Sequence, residues 1–550
     1  MKQTFLFLFV LLACFSCKDN IVIPDYIAPE IPDNGDGNQP GNASSVLKYQ
    51  PEKYYMWDNW TIIKNDSIHL FHIQGLKDLN YNKDQNLRGY GHAVSTDFVR
   101  WTEEREVLSL YSKTYPNDVD FRYSGCTAEH NGKYYMYYTM RKWAMERIGL
   151  AISDDLYNWT IYDGNPVLEP DGRWFITFNN EGTGSNNPTW GYKVDCRDML
   201  VIKDPNGAGY YGYFVSSVVR SDLKSPTSAI GVAYSTDMIH WQQKGVAYRP
   251  MGVGVAEMVD VFQYQGKWYM TLTTCKDAGM ISTYSDPYIF RAQLYAVADS
   301  PEGPFIENPV DNVILGGSVN SGYSMRSVEY KGKRRVMYVD ADYAKRSVLS
   351  LPKDVGLNEK GQLRLFYASD LLQPLRVKKT ELSIVTQPNT SFGWPTYGGT
   401  WKLTGGVLTC ETDVNSWQGV ILDGLSRNME FNFTVSRADC QSYGIMLTTF
   451  AANPTYLDNL KYLLVIDYQN DRLFLTNRQW IFENVRKFDF EDGRAYQFKM
   501  LLAGNTIELY IDNELVFNSS INNAENFRPG LFVNDGDIEI KDVEIQKLQE

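Results

Sequence analysis

The sequence predicts an all-β protein, a five-bladed β-propeller followed by a C-terminal β-sandwich. Short aromatic strands recur between residue 47 and about residue 375, and copies of a Ser/Asp/Trp signature follow them. After residue 396 apolar and polar residues alternate between frequent turns, a pattern typical of half-buried strands. Aromatic residues, which favour strands, make up 14% of the chain.

The repeated unit is the basis for the propeller. Aromatic strands are expected at residues 67–72, 133–138, 210–215, 267–272 and 333–338. The signature occurs at residues 95–101, 153–159 and 235–241, with a degenerate copy at 298–304. A repeated four-stranded sheet is a propeller blade, and radial closure protects its edges. We therefore expect the propeller over residues 47–380 and the sandwich over residues 381–550.

The first residues resemble an export signal. Lys2 precedes the apolar run Phe5–Ala13, which is too short to span a bilayer as a stable helix. Ser16 then precedes Cys17, as at a lipoprotein processing site, so we expect residues 1–17 to be a lipoprotein signal peptide with lipid attachment at Cys17. An ordinary cleaved signal peptide is the alternative. Residues 18–46, rich in Pro, Gly, Asn and Asp, are expected to be a flexible tether. Either reading predicts an exported protein, and the first predicts contact with a membrane through the lipid alone.

Charge and cysteine usage exclude several classes of protein. The formal net charge of −13 argues against nucleic-acid binding, which needs a basic field. Five cysteines lie beyond the leader, widely spaced and without a CxxC pair, so neither a disulfide framework nor a metal site is predicted. His69 and His72 are three apart on one strand and face opposite sides, a poor metal pair. No cofactor is expected.

Carboxylates are the candidate catalysts. Asp58, Asp198 and Glu257 each lie among aromatic or apolar residues where a blade begins. First strands of blades line the central channel, so residues far apart in sequence can converge there. An apolar neighbourhood raises the pKa of a carboxyl group, as a general acid requires. A structural role is the alternative for any single one of them.

These residues resemble glycoside hydrolase family 32, the invertases, levanases and inulinases. The most specific match is His69-Leu-Phe followed by Tyr90-Gly-His-Ala-Val-Ser-Thr-Asp-Phe-Val-Arg-Trp101. Ile148-Gly-Leu-Ala-Ile-Ser153 and the C-terminal Ile507-Glu-Leu-Tyr-Ile-Asp-Asn513 are also similar. The resemblance covers nearly all of the chain after the tether.

The resemblance implies a role for each acid. Tyr55-Met-Trp-Asp-Asn-Trp60 stands where the family has Trp-Met-Asn-Asp-Pro-Asn-Gly, which makes Asp58 the implied nucleophile. Arg197-Asp198-Met199 matches the Arg-Asp-Pro motif, so Asp198 would bond sugar hydroxyls. Glu257-Met258-Val259 matches Glu-Cys-Pro, which makes Glu257 the implied acid/base. The implied substrate-binding residues are Trp57, Trp60, Gln74, Ser124, Gly125 and Arg197.

The implied reaction is retaining hydrolysis of furanosides, of the β-fructofuranosyl type found in fructans. It requires the carboxyl groups of Asp58 and Glu257 to lie about 5–5.5 Å apart. The altered motifs mark a divergent branch and leave two alternatives open. One is a furanosidase acting on glycans that contain arabinose or galactose, and the other is a non-catalytic glycan-binding protein. The sequence leaves the oligomeric state open.

Overall fold

The computed structural model of the protein describes residues 47–76, 87–109, 121–142, 145–177, 194–219, 226–250, 253–275, 289–308, 311–318, 321–340, 347–386, 401–412, 417–449, 460–477, 482–521 and 526–549. Strands and turns account for most of these residues. The helices within them are one short α-helix, α1 (Ser369–Leu372), and two 3₁₀ segments, Gln373–Leu375 and Tyr468–Asn470. No helix in the described ranges has the length and apolar character needed to cross a membrane.

Four separate antiparallel sheets follow one another along the first part of the described chain. The first contains β1 (Tyr54–Lys64), β2 (Ser67–Leu76), β3 (Leu87–Ser95), β4 (Thr102–Glu103) and β5 (Val107–Ser109). The second contains β6 (Phe121–His130), β7 (Lys133–Lys142), β8 (Met145–Ser153) and β9 (Thr160–Ile161). The third contains β10 (Cys196–Lys203), β11 (Tyr210–Val219), β12 (Pro226–Ser235) and β13 (Gln242–Tyr248). The fourth contains β14 (Glu257–Tyr264), β15 (Lys267–Cys275), β16 (Arg291–Ala298) and β17 (Val313–Gly317).

The remaining described strands form one large sheet of 18 strands. They are β18 (Tyr323–Tyr330), β19 (Lys333–Asp340), β20 (Val348–Leu349), β21 (Lys353–Leu357), β22 (Leu363–Tyr367), β23 (Arg376–Thr380), β24 (Ile384–Thr386), β25 (Lys402–Thr404), β26 (Val407–Cys410), β27 (Trp417–Leu422), β28 (Asn428–Thr448), β29 (Leu460–Asp467), β30 (Arg472–Asn477), β31 (Phe482–Lys487), β32 (Tyr496–Ala503), β33 (Thr506–Ile511), β34 (Glu514–Ser520) and β35 (Arg528–Leu548).

The all-β class and the propeller arrangement are confirmed, but five separate blades followed by a separate sandwich are not observed. Strands β18 to β22 pair in chain order, as in the sheets before them, but their ladder continues into the C-terminal strands. The link is the antiparallel pairing of β22 with β34, at Phe366 and Glu514. The described chain therefore has four separate blade-like sheets and one large composite sheet.

Hydrogen bonds join the first strands of the sheets into a closed ring. Trp60 on β1 donates its indole N–H to Thr127 Oγ1 on β6 (3.0 Å), and Ser124 on β6 bonds Asp198 on β10. The Met258 N–H on β14 donates to Asp198 Oδ2 (2.8 Å), and the Ser327 N–H on β18 donates to Asp260 Oδ2 (2.9 Å). The amide of Asn59 donates to the Ser324 carbonyl at 3.0 Å and returns the ring to β1. These first strands surround the channel predicted from the sequence.

The Ser/Asp/Trp signature is a turn stabilised by its own side chains. In the second sheet Asp155 Oδ1 accepts the N–H groups of Tyr157 (2.8 Å) and Asn158 (2.7 Å). The Trp159 indole then donates to the Leu156 carbonyl at 3.0 Å, while Leu156 has a positive φ of 74°. The first and third sheets repeat the aspartate contacts with Asp97 and Asp237. The signature thus ends the third strand of a blade by capping a tight turn.

Candidate active site

A β-bulge interrupts every first strand of the ring near its beginning. The register of each pairing shifts between Trp57 and Asn59, Tyr123 and Gly125, Arg197 and Leu200, Glu257 and Asp260, and Tyr323 and Arg326. Three of the residues at these shifts have positive φ angles: Asp198 (55°), Met258 (54°) and Ser324 (58°). A bulge redirects a side chain out of the regular alternation. Asp58, Ser124, Asp198 and Glu257 all stand at these bulges.

Asp58 is a buried carboxyl group on the bulge of β1. The Tyr323 hydroxyl donates a hydrogen bond to its Oδ1 at 2.9 Å. Burial, and then the negative charge of Asp198, raise the pKa of Asp58 to about 6, although the Tyr323 hydrogen bond opposes the shift. At neutral pH this carboxyl is mostly ionised, as a nucleophile must be.

Asp198 is the most extensively bonded of the three acids. Its Oδ1 accepts the Ser124 hydroxyl at 2.6 Å, and its Oδ2 accepts the Met258 N–H at 2.8 Å. Its own N–H donates to Thr139 Oγ1 (3.0 Å), and its carbonyl accepts from Arg326 Nη2 (3.2 Å). Contacts from the neighbouring strands thus fix this carboxylate in place, so it is suited to orient a ligand.

Glu257 begins β14 and is partly exposed, whereas Asp58 and Asp198 are buried. Burial of its carboxyl, and then the charge of Asp58, raise the pKa of Glu257 to about 8, against the opposing effect of Arg197. At neutral pH this carboxyl group is therefore mainly protonated. The two acids have pKa values that lie apart and on opposite sides of neutrality, the arrangement that separates an acid from a nucleophile.

A buried ionic triad lies beside these acids. Arg197 Nη1 donates to Glu146 Oε2 at 2.8 Å and to Asp195 Oδ1 at 3.0 Å, and all three side chains are almost inaccessible to solvent. Burial, above all, raises the pKa of Glu146 to about 7, against the effect of Arg197. Sequence reasoning missed Glu146, which stands on β8 in an otherwise unremarkable amphipathic strand. It also missed Tyr323. The available signal was its place in the strand before the aromatic strand at Lys333–Tyr338, which is the first-strand position of a blade.

The predicted substrate-binding residues divide into two groups. Ser124 and Arg197 lie against the acids, and Trp57 is half-buried on the same strand as Asp58, stacked on Tyr55 with ring centroids 5.2 Å apart. Trp60 is instead a core residue, 2% exposed and packed edge-on against Tyr90.

Gln74 and Gly125 have structural partners in the described chain. The Gln74 amide donates to Glu106 Oε2 at 3.2 Å. At Gly125 an added Cβ would collide with the Tyr137 carbonyl, so close backbone approach accounts for the glycine there. Cys17 lies outside the described residues. Within those residues no group of three or more His, Cys, Asp or Glu side chains could hold a metal ion.

Comparison with known proteins agrees with the fold. Residues 48–179 match the family model described as the N-terminal domain of glycosyl hydrolases family 32. A vacuolar acid beta-fructofuranosidase 1 of a Rosa hybrid cultivar is 29% identical over 167 residues. That match spans 25% of this chain and about a quarter (27%) of the relative's length.

Solved structures share the fold over almost the whole chain. The Bombyx mori GH32 beta-fructofuranosidase covers 92% of this chain and 93% of its own, with a TM-score of 0.64 and 14% identity. The sucrose-6-phosphate hydrolase of Lactobacillus gasseri covers 92% of each chain, with a TM-score of 0.65 and 13% identity. Fructan 1-exohydrolase IIa of Cichorium intybus covers 93% of this chain and 98% of its own, with a TM-score of 0.63 and 14% identity.

The chain is thus an all-β propeller protein with three carboxyl groups, those of Asp58, Asp198 and Glu257, at the bulges of its first strands. The match to the model of the N-terminal domain of glycosyl hydrolases family 32 covers residues 48–179. The family resemblance drawn from the sequence is confirmed, and the low identities to solved structures agree with a divergent branch.

Proposed function

We propose that the chain is a glycoside hydrolase that cleaves β-fructofuranosyl linkages in fructan-type oligo- and polysaccharides. The observation that carries the proposal is the set of carboxyl groups at the bulges of neighbouring first strands. Among them Asp58 has a pKa of about 6 and Glu257 a pKa of about 8. The matched relatives are named beta-fructofuranosidases and a fructan exohydrolase, which supports fructosides as the substrate class.

The proposed mechanism is a double displacement with retention. The ionised Asp58 attacks the anomeric carbon while the protonated Glu257 gives its proton to the leaving oxygen. Glu257 then takes a proton from water, whose oxygen attacks the anomeric carbon and releases Asp58. Asp198, held by Ser124 and Met258, accepts hydrogen bonds from sugar hydroxyl groups throughout.

Product analysis tests the activity. The chain from residue 47 onward is incubated with levan, inulin and sucrose, and with arabinan as a substrate for the alternative furanosidase. Release of fructose from at least one fructoside, with arabinan intact, is expected. Release from arabinan alone would replace the substrate class. Sugar binding without any release would favour the non-catalytic alternative.

Transfer to methanol tests the stereochemistry. A retaining enzyme gives the methyl fructofuranoside with the anomeric configuration of the substrate, and this glycoside does not mutarotate before it is measured by NMR. The inverted methyl glycoside, or hydrolysis without any transfer at high methanol, would argue against the double displacement.

We propose in addition that strands β18 to β22 serve as the fifth blade and that the strands after residue 380 form the sandwich. Their support is the bulge in β18, which repeats the bulges of the other first strands, and the closure of the ring through Asn59 and Ser324. A segment-exchange or crystallographic study of the C-terminal strands would test the division.

We also propose export and lipid attachment at Cys17, on the sequence signals alone. Metabolic labelling with a radioactive fatty acid in a bacterial host tests this. Label on the wild-type protein that is lost in Cys17→Ser is expected, and equal labelling of the two would contradict the assignment.

A further inference from the structure

The segment that leads into Glu257 is bonded to a residue of the neighbouring sheet. The Ala256 N–H donates to Ser228 Oγ at 2.7 Å, and the Ser228 N–H donates to the Gly254 carbonyl at 2.9 Å. Ser228 stands near the start of β12 in the third sheet, whereas Glu257 begins β14 in the fourth. One serine of the third sheet therefore bonds two backbone groups just before Glu257.

A threonine of the fourth sheet bonds the residue between these two groups. The Thr274 hydroxyl, near the end of β15, donates to the Val255 carbonyl at 2.9 Å. Each residue of the segment 254–256 thus has a backbone group bonded to Ser228 or to Thr274.

The residue that follows Glu257 is also bonded to the third sheet. The Met258 N–H donates to Asp198 Oδ2 at 2.8 Å, and Asp198 lies on β10. Since β10 and β12 belong to one sheet, N–H groups on both sides of Glu257 are bonded to the same neighbouring sheet. The backbone of Glu257 is thereby fixed relative to the sheet that carries Asp198.

Burial makes these bonds hard to replace. Ser228 and Thr274 are each 2% exposed, and Val255 and Ala256 are buried with them. Water has no access to such a site, so removal of either hydroxyl leaves a buried backbone group without its partner, which is unfavourable. The chain recovers this loss by moving the segment, and Glu257 moves with it.

We propose that Ser228 and Thr274 are positioning residues for the carboxyl group of Glu257. This inference rests on the proposed function, in which Glu257 gives a proton to the leaving oxygen and later takes one from water. Proton transfer requires hydrogen-bond reach, and a displacement of about 1 Å can lower a rate about a hundredfold. Glu257 is partly exposed and its side chain is long, so its backbone position decides where the carboxyl group lies. Loss of either hydroxyl should therefore impair proton transfer rather than attack by Asp58.

Two substrates separate proton transfer from attack. The leaving oxygen of sucrose or inulin needs the proton of Glu257. β-Fructofuranosyl fluoride needs none, because Asp58 bonds to the anomeric carbon as fluoride departs unassisted. Azide, an anionic nucleophile, then displaces Asp58 and gives a fructosyl azide, so neither step of the second reaction uses Glu257.

Ser228→Ala and Thr274→Val should each lower kcat for the fructoside about tenfold or more, while fluoride release in saturating azide stays within about twofold of wild type. Should Ser228→Ala fail to fold, Thr274→Val carries the test, because valine keeps the shape of the threonine side chain. An equal fall in both reactions, or no change in either, would contradict the positioning role.

Ser350→Ala is the matched control. Ser350 is also 2% exposed, and its Oγ accepts a backbone N–H, that of Tyr338, at 3.0 Å. It lies between β20 and β21, away from the segment that leads into Glu257. Ser350→Ala should leave the ratio of the two rates at the wild-type value.

Crystal structures of the wild type and the variants test the placement without any activity. The Glu257 carboxyl group should shift by about 1 Å relative to Asp198 in Ser228→Ala, a displacement large enough to affect catalysis, and should keep its place in Ser350→Ala. An unmoved Glu257 carboxyl group would overturn the inference. Failure of the wild type to act on any glycoside would instead count against the proposed function.

Discussion

At the scale of single residues, the acids differ in how the protein holds them. Asp198 is fixed by bonds from several strands, buried Asp58 accepts the Tyr323 hydroxyl, and Glu257 stands partly open to solvent. These differences agree with orientation, attack and proton transfer respectively. The sequence pointed to all three acids as candidates, because each interrupts an aromatic or apolar run. It did not identify Glu146, because a charged residue in an alternating strand is expected to face solvent.

The two raised pKa values predict a bell-shaped dependence of kcat/KM on pH. Below about 6 Asp58 takes up a proton and cannot attack, and above about 8 Glu257 loses the proton it must donate. The two limbs belong to the interacting pair rather than to either group alone. Initial rates of fructose release over the pH range should peak near neutrality. A maximum in strong acid would contradict the assignment.

Glu146→Gln should move the alkaline limb of this profile to lower pH. The negative charge of Glu146 helps to raise the pKa of Glu257, and the positive charge of Arg197 lowers it. The glutamine has no negative charge, so the effect of Arg197 prevails and the pKa of Glu257 falls. The exposed Glu169→Gln, which removes a surface partner of Arg147, is the control and should leave the limb in place. An equal loss of rate at every pH would indicate a structural role alone.

Glu257→Gln should make the protein more stable at alkaline pH while it abolishes activity. The folded pKa of Glu257, about 8, is above its unfolded value, so the folded state binds more protons between these values. Stability from this group is therefore present at low pH and is lost as the pH rises towards 8. Thermal unfolding should give a higher Tm for the variant than for wild type above pH 8, and a smaller difference near pH 4. A lower Tm for the variant at alkaline pH would contradict the shift.

At the scale of elements, the signature turns could be predicted but the bulges could not. Ser153, Asp155 and Trp159 are close in sequence, and their spacing alone specifies a capped turn. A bulge depends on the register between two strands, and the residue pattern of one strand cannot predict that register. The sequence therefore indicated which strands carry Asp58 and Asp198, but not why these side chains turn into the channel.

Asp155→Ala should destabilise the second sheet by about 1 kcal/mol, the usual effect of losing such capping bonds. Asp155→Asn keeps an oxygen that can accept the N–H groups of Tyr157 and Asn158, and should cost less. Chemical denaturation of both variants measures the difference. Equal destabilisation by the two would show that the charge, rather than the hydrogen-bond geometry, stabilises the turn.

At the scale of the whole molecule, the change in sequence texture near residue 380 does not divide the hydrogen-bonding network. Glu508 on β33 is buried, and its Oε1 accepts from Lys353 on β21 (2.5 Å) and Tyr338 on β19 (3.0 Å). Apolar residues of both parts share one cluster that includes Leu363, Leu365 and Tyr510. The amino-acid composition predicts a domain boundary near residue 380, but it cannot predict contacts between residues 155 positions apart, such as Lys353 and Glu508.

Glu508→Ala should destabilise the protein by about 3–5 kcal/mol, since it leaves the Lys353 ammonium buried and unpaired. The control is Glu491→Ala, which breaks a surface pair with Arg494 and should cost no more than about 1 kcal/mol. Urea denaturation followed by tryptophan fluorescence gives both values. A small effect for Glu508→Ala would mean that the two parts of the chain are less interdependent than the network implies.

The central claim is that Asp58 is the nucleophile of a retaining fructosidase, and capture of the covalent intermediate tests it most directly. β-Fructofuranosyl fluoride needs no acid assistance to leave, so Glu257→Gln should form the intermediate and fail to hydrolyse it quickly. Peptide mass spectrometry of the quenched mixture is expected to find a hexosyl adduct on the peptide that carries Asp58, and none in Asp58→Asn/Glu257→Gln. An adduct on another carboxylate, or free fructose without any adduct, would contradict the account.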